Sequence, residues 1–194
     1  LLMFEGCFIG FGWGVFDVAV PAYATQEGVP QRVAWIFAAF GVATVIGGLL
    51  GGLVSKKLAP LSALRNAYVV WFITCIPIAF TYPDWTMALV GTFIGLMGGA
   101  VQVFYFEVLE AVRPRGSQTA SLGWIWSIEG SFMAVGAATG GWISEYYSPQ
   151  VGLALLPTML FCGLIILTWG KKRLHAANDV PTEEEDLQAI KDIS

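Results

Sequence analysis

Six stretches of this chain are apolar over the length a helix needs to cross a bilayer. They cover roughly residues 1–22, 33–54, 64–82, 85–108, 120–145 and 149–170, and a hydrocarbon core requires about 20 apolar residues per helix. Backbone groups in that core find no water, so the segments must satisfy their own hydrogen bonds as helices. The intervening breaks fall at residues 26–32, 55–60, 82–84, 110–118 and 146–149, and each carries Pro, Gly or charge, as helix ends do. The shortest, around Pro83, forces a tight antiparallel pair. Charged residues make up 12% of the chain, against about 25% in a soluble domain. That excludes a soluble enzyme domain, intrinsic disorder and a nucleic-acid-binding module. The expected fold is an all-α membrane protein of six transmembrane helices over residues 1–173. Residues 174–194 are expected to form an acidic cytoplasmic tail, with a capping-box start at Thr182–Glu185.

Lys and Arg set the expected orientation. Lys56, Lys57, Arg65, Arg113, Arg115, Lys171, Lys172 and Arg173 fall in alternate connections, whereas the opposite ones hold only Arg32. By the positive-inside rule the first set faces the cytoplasm, with the C-terminus. Tyr82, Trp85, Tyr146 and Tyr147 then sit at the outer interface and Trp169 at the inner one. The three cysteines are dispersed and His175 is the only histidine, so neither a metal site, a cofactor nor a disulfide framework is expected. The chain opens on Leu1 within an apolar run, with no basic flank or cleavage pattern. It reads as a fragment beginning in or beside a membrane helix rather than as a signal peptide.

An internal repeat constrains the architecture further. Spans one and four align at an offset of 85: Phe8-Ile9-Gly10 with Phe93-Ile94-Gly95, Gly14 with Gly99, Val18 with Val103. Spans two and five align at an offset of 89: Trp35-Ile36 with Trp124-Ile125, Gly41 with Gly130, Gly47 with Gly136, Gly51-Gly52 with Gly140-Gly141, Ser55 with Ser144. A repeat of three crossings enters its second copy from the opposite side, so the two copies, about residues 1–82 and 85–170, are inverted. The segment Gly51-Gly52-Leu53-Val54-Ser55-Lys56-Lys57 resembles the G-x-L-x-D-R-x-G loop motif of major facilitator superfamily transporters, with Ser55 for the Asp and Lys56 for the Arg. Leu58 stands in place of the last Gly. Arg113-Pro114-Arg115-Gly116 is similar to the family's R-G element, and 136–141 to its Gly-rich helix end. The resemblance covers residues 1 to about 173 and implies the C-terminal half of such a transporter. It also implies an absent N-terminal half as partner, alternating access, and cytoplasmic loops (Lys56, Lys57, Glu107, Arg113, Arg115) that latch the closed states; plain solvated loops are the other reading of these charges.

Individual residues carry the functional expectations. Glu129 lies about ten residues into its span, about 15 Å deep at 1.5 Å per residue. A carboxylate at midplane is costly, by roughly 2.5–3.5 kcal/mol on insertion scales. It reads as a proton-coupling or cation-binding group, or else as a structural acid partnered by the missing half. Asp17 is the repeat mate of Gln102, which suggests that both face one central cavity; an interfacial Asp17 in water is the other reading. Trp13, Tyr105, Phe106 and Trp126 would line a cavity for an aromatic or amphipathic substrate, or merely pack. Glu5 is not placed. The paired glycines of spans two and five form small-xxx-small faces, facing either the other half or their own. Pro77 and Pro157 should kink their helices. The expected function is a secondary transporter of a small molecule in a bacterial inner membrane, driven by protons and most similar in texture to efflux members. The alternative is a non-transporting membrane protein, such as a degenerate half or an assembly partner. No nucleophile motif or phosphate loop supports an enzyme.

Overall fold

A computed structural model describes residues 2–55 and 59–170, together with Leu174, Glu185, Gln188 and Ala189. Lys56, Lys57 and, of the tail's capping box, Thr182, Glu183 and Glu184 lie outside the described residues. Six α-helices follow in order: α1 (Leu2–Gln26), α2 (Val33–Ser55), α3 (Pro60–Cys75), α4 (Trp85–Val112), α5 (Gln118–Tyr146) and α6 (Pro149–Trp169). The chain is an all-helical, multi-pass membrane protein, built as two inverted three-helix repeats.

The helix ends follow local chemistry. Pro60 and Pro149 occupy first turns, where a missing N–H costs nothing. Asp84 and Ser148 cap α4 and α6 by accepting the N–H of Thr86 and of Val151. Gly28 takes a left-handed φ of 72° in the turn after α1, a conformation open to Gly at no steric cost. At Pro77 the outcome differs from a simple kink. The α-helix ends at Cys75, and the chain continues as a 3₁₀ helix from Ile76 to Phe80, because the ring removes the donor that the next α-turn needs. Helix α6 runs through Pro157.

Among the described residues, five segments are long and apolar enough to cross a membrane: α1, Pro30–Ser55, Pro60–Phe80, α4 and α6. The fifth run of the sequence, now α5, has the length, at 29 residues, but is too polar on composition to stand with them. Ser127, Glu129, Ser131 and Thr139 dilute it, and most of α5 from Gly123 to Val135 is exposed. On α2 an apolar face is exposed: Val42, Val45, Ile46, Leu49 and Leu53 are all open. A contiguous face of that kind suits lipid or another helix bundle.

Packing obeys the repeat. Helix α1 lies against α5 and α6, while α4 lies against α2 and α3. Exchanging the repeats maps each pairing onto the other, and the α3–α6 contact onto itself. The glycines explain how. A Cβ built on Gly10 would strike the Glu129 carbonyl, and one on its mate Gly95 would strike that of Phe40. Gly14 and Gly99 meet the carbonyls of Met133 and Thr44 in the same way, and Gly136 and Gly47 those of Phe11 and Leu96. Gly140 and Gly51 rest on the backbones of Val15 and Ala100. Each crossing therefore presses two G-x-x-x-G motifs together, backbone to backbone. These faces serve packing within the unit. By contrast Gly41 and its mate Gly130 face open space, as does Gly52.

Candidate functional site

Between the repeats lies a cavity of about 370 Å³, within the range of small-molecule sites. Trp13 and Asp17 reach it from α1, Phe40 and Thr44 from α2, and Trp71 from α3. Gly98, Gln102 and Phe106 line it from α4, and Trp126, Glu129 and Met133 from α5. Four pairs of repeat mates are among them: Trp13 with Gly98, Asp17 with Gln102, Phe40 with Glu129, and Thr44 with Met133. The cavity thus sits where the two copies exchange. The lining includes two carboxylates and no basic side chain.

The aromatic walls are mutually braced. The Trp13 ring lies 5.4 Å from Phe40 and 5.7 Å from Trp71 between centroids. Trp71 Nε1–H donates to the Ile94 carbonyl at 3.1 Å, which fixes its indole. Gly98 leaves the room for it, since a Cβ there would stand 3.3 Å from the Trp71 ring. Nearer the basic loops, Phe106 and Trp126 stack at 6.2 Å. The same two rings line a second pocket of about 360 Å³ that reaches Glu110, Arg113 and Gln118. They therefore stand between the two pockets as a shared wall.

Of the residues expected from sequence, Glu129, Asp17, Gln102, Trp13, Phe106 and Trp126 meet in this cavity. Tyr105 does not line it. Its side chain is buried, and its hydroxyl donates to the Leu2 carbonyl at 3.2 Å. Gly98, Gln102 and Phe106 recur every four residues and share a face of α4, which leaves Tyr105 to the side. Phe40, Thr44, Gly98 and Met133 were not singled out, although Phe40 and Gly98 are the repeat mates of Glu129 and Trp13. Trp71 belongs to α3, which lies outside the two aligned pairs of spans, and no local signal marks it. At the basic end, Arg113 is buried and pairs with Glu110 at 2.6 Å, while Glu107 is half-buried. Arg115 pairs with Glu185 of the tail at 3.1 Å across an exposed surface.

The profile of one protein family, Major Facilitator Superfamily, matches residues 2–193. No curated protein and no solved structure matches the chain.

Proposed function

The chain belongs to the Major Facilitator Superfamily, and from that premise we propose that it is the C-terminal six-helix half of a proton-coupled efflux transporter. Membership makes it a membrane transport protein in general terms. The finer reading rests on one observation: a cavity at the exchange point of the repeats, walled by aromatic rings, with two carboxylates and no base. Such a cavity suits an aromatic or amphipathic small molecule, by apolar burial and ring contact. Glu129 is the proton-coupling group. A carboxylate that holds either a proton or a positively polarised substrate, but not both, exchanges one for the other, and that exchange drives export. The open faces of α2 and α5, including Gly41 and Gly130, receive the N-terminal half, and rocking of the two halves alternates access to the cavity. The Phe106–Trp126 pair closes the path toward the basic loops, which lie in the bacterial cytoplasm with the C-terminus.

The test uses the full-length transporter in liposomes under an imposed pH gradient, with ethidium and tetraphenylphosphonium as aromatic cation probes. Gradient-driven export is expected in the wild type. Glu129→Gln keeps the volume and the fold, and should abolish gradient-driven accumulation while retaining probe exchange. A wild type that moves neither probe, or a Glu129→Gln variant with an unchanged pH profile, would defeat the reading.

A further inference from the structure

The cavity carboxylates await the other half of the transporter, but one acid is already enclosed by this chain alone. Glu5, in the first turns of α1, has no exposed surface, so no partner half can reach it. Neither of its carboxyl oxygens has a hydrogen-bond partner.

Its surroundings come from every neighbouring element. The Tyr68 hydroxyl of α3 adjoins it, and that oxygen is also buried without a partner. Gly163 of α6 leaves the space both groups use: a Cβ there would strike the Tyr68 hydroxyl and stand 3.6 Å from Glu5 Cγ. Tyr105 of α4 lies beside Gly6, with its own hydroxyl committed to the Leu2 carbonyl. The other titratable groups acting on this cluster are Cys7 on the same helix, Cys75 of α3 and Glu129 of α5. Among the described residues, no Lys or Arg forms an ion pair with Glu5.

We propose that Glu5 is a second proton-binding site of the transporter, sealed at the junction of α1, α3, α4 and α6 and separate from the substrate cavity. The proposal deepens the proton-coupled reading and rests on it. An ionised carboxylate here, with no exposed surface and no ion-pair partner among the described residues, is far costlier than the neutral acid. The sealed arrangement therefore holds the acid protonated. When α1 shifts against α3 and α6 and water enters, the Glu5 O–H bond breaks, the proton passes to water, and a hydrated carboxylate remains. Resealing requires the reverse step. Proton binding is thus tied to the packing of α1, whereas Glu129 answers to the substrate.

Infrared spectroscopy of the purified full-length transporter reads this group without any substrate. A protonated-carboxyl stretch at neutral pH should vanish in Glu5→Gln and persist in Glu129→Gln. Tyr68→Phe keeps the ring and should shift the band, which covers the case in which Glu5→Gln does not fold. In liposomes, Glu5→Gln should weaken the pH response of ethidium export by about tenfold, and Glu5→Asp should restore both band and response. If every protonated-carboxyl band survives Glu5→Gln, or Tyr68→Phe leaves the spectrum unaltered, the assignment is wrong. A band lost with the pH profile intact makes Glu5 a neutral structural acid and also overturns the proposal. Failure of the proton-coupled reading shows separately, as wild-type export that ignores the pH gradient.

Discussion

Asp84 shows how much one side chain at a helix end decides. Its carboxylate accepts the Thr86 hydroxyl at 2.7 Å and the Thr86 backbone N–H at 2.7 Å. Those two bonds, the hydroxyl first, hold the carboxyl below the usual aspartate range, with Arg32 adding a smaller pull in the same direction. A lowered folded-state value means that the cap stabilises α4 above the unfolded value of about 3.9. The stabilisation is lost as pH falls through the folded value. The protection of the amides over residues 85–88, relative to intrinsic exchange at the same pH, should therefore fall in acid. Asp84→Ala should produce the same loosening at neutral pH, at a cost of about 0.5–2 kcal/mol; hydrogen-exchange mass spectrometry reads both. Equal protection in variant and wild type would remove Asp84 from the cap. In the cavity, Asp17 is exposed while Glu129 is half-buried. Asp17→Asn should therefore change the pH profile of probe export less than Glu129→Gln does, since a charge nearer water costs less to keep.

At the scale of elements, the four G-x-x-x-G motifs carry the fold. Gly47 and Gly136 each press on a facing carbonyl, whereas Gly41 and Gly130 press on nothing. Gly47→Ala and Gly136→Ala should each destabilise the bundle by about 1–3 kcal/mol, the usual cost of overpacking. Gly41→Ala and Gly130→Ala clear their own unit and meet only the face that receives the N-terminal half, so each should cost less than its packed counterpart, with helix propensity offsetting up to about 1 kcal/mol. Thermal unfolding of the full-length protein in detergent measures all four. If Gly130→Ala costs as much as Gly136→Ala, the assignment of packed and open faces is mistaken. Mates must also agree with each other, because the crossings α1–α5 and α2–α4 are built alike. The repeat was legible as glycines in register. That Gly10-x-x-x-Gly14 meets Gly136-x-x-x-Gly140 was not, because a sequence alignment pairs each helix with its copy and not with its neighbour.

For the whole molecule, the strongest expectation is topological. Ser62 and Ser117 lie with the basic connections, and Glu27 lies in the turn at the opposite end. Single cysteines at Ser62, Ser117 and Asn178 should resist a membrane-impermeant reagent added to intact cells, and one at Glu27 should react. External labelling at two of the first three would invert the orientation proposed here. The expected aromatic belt is consistent with the fold: Trp85, Tyr146, Tyr147 and Trp169 all stand exposed at helix ends, where amphipathic rings anchor to an interface.

The sequence alone determined the number of helices, their breaks, the repeat and the chain's family likeness. These depend on quantities local to the chain: apolar length, Pro and Gly at the ends, and glycines in register. It also singled out Glu129, Asp17, Gln102, Trp13 and Trp126, because polar groups and rings at repeat-related depths are visible in one dimension. The tertiary structure alone decided which face of each helix is buried. These helices are apolar nearly all round, as lipid permits, so no amphipathic stripe points to the core. Hence the cavity takes Phe106 and excludes Tyr105, admits Trp71 from a helix with no repeat signal, and leaves Glu5 enclosed where its position near the start of α1 gave no hint of burial. Each outcome depends on the angle around a helix axis and on the neighbour that fills it, and close backbone contact between non-consecutive helices sets both.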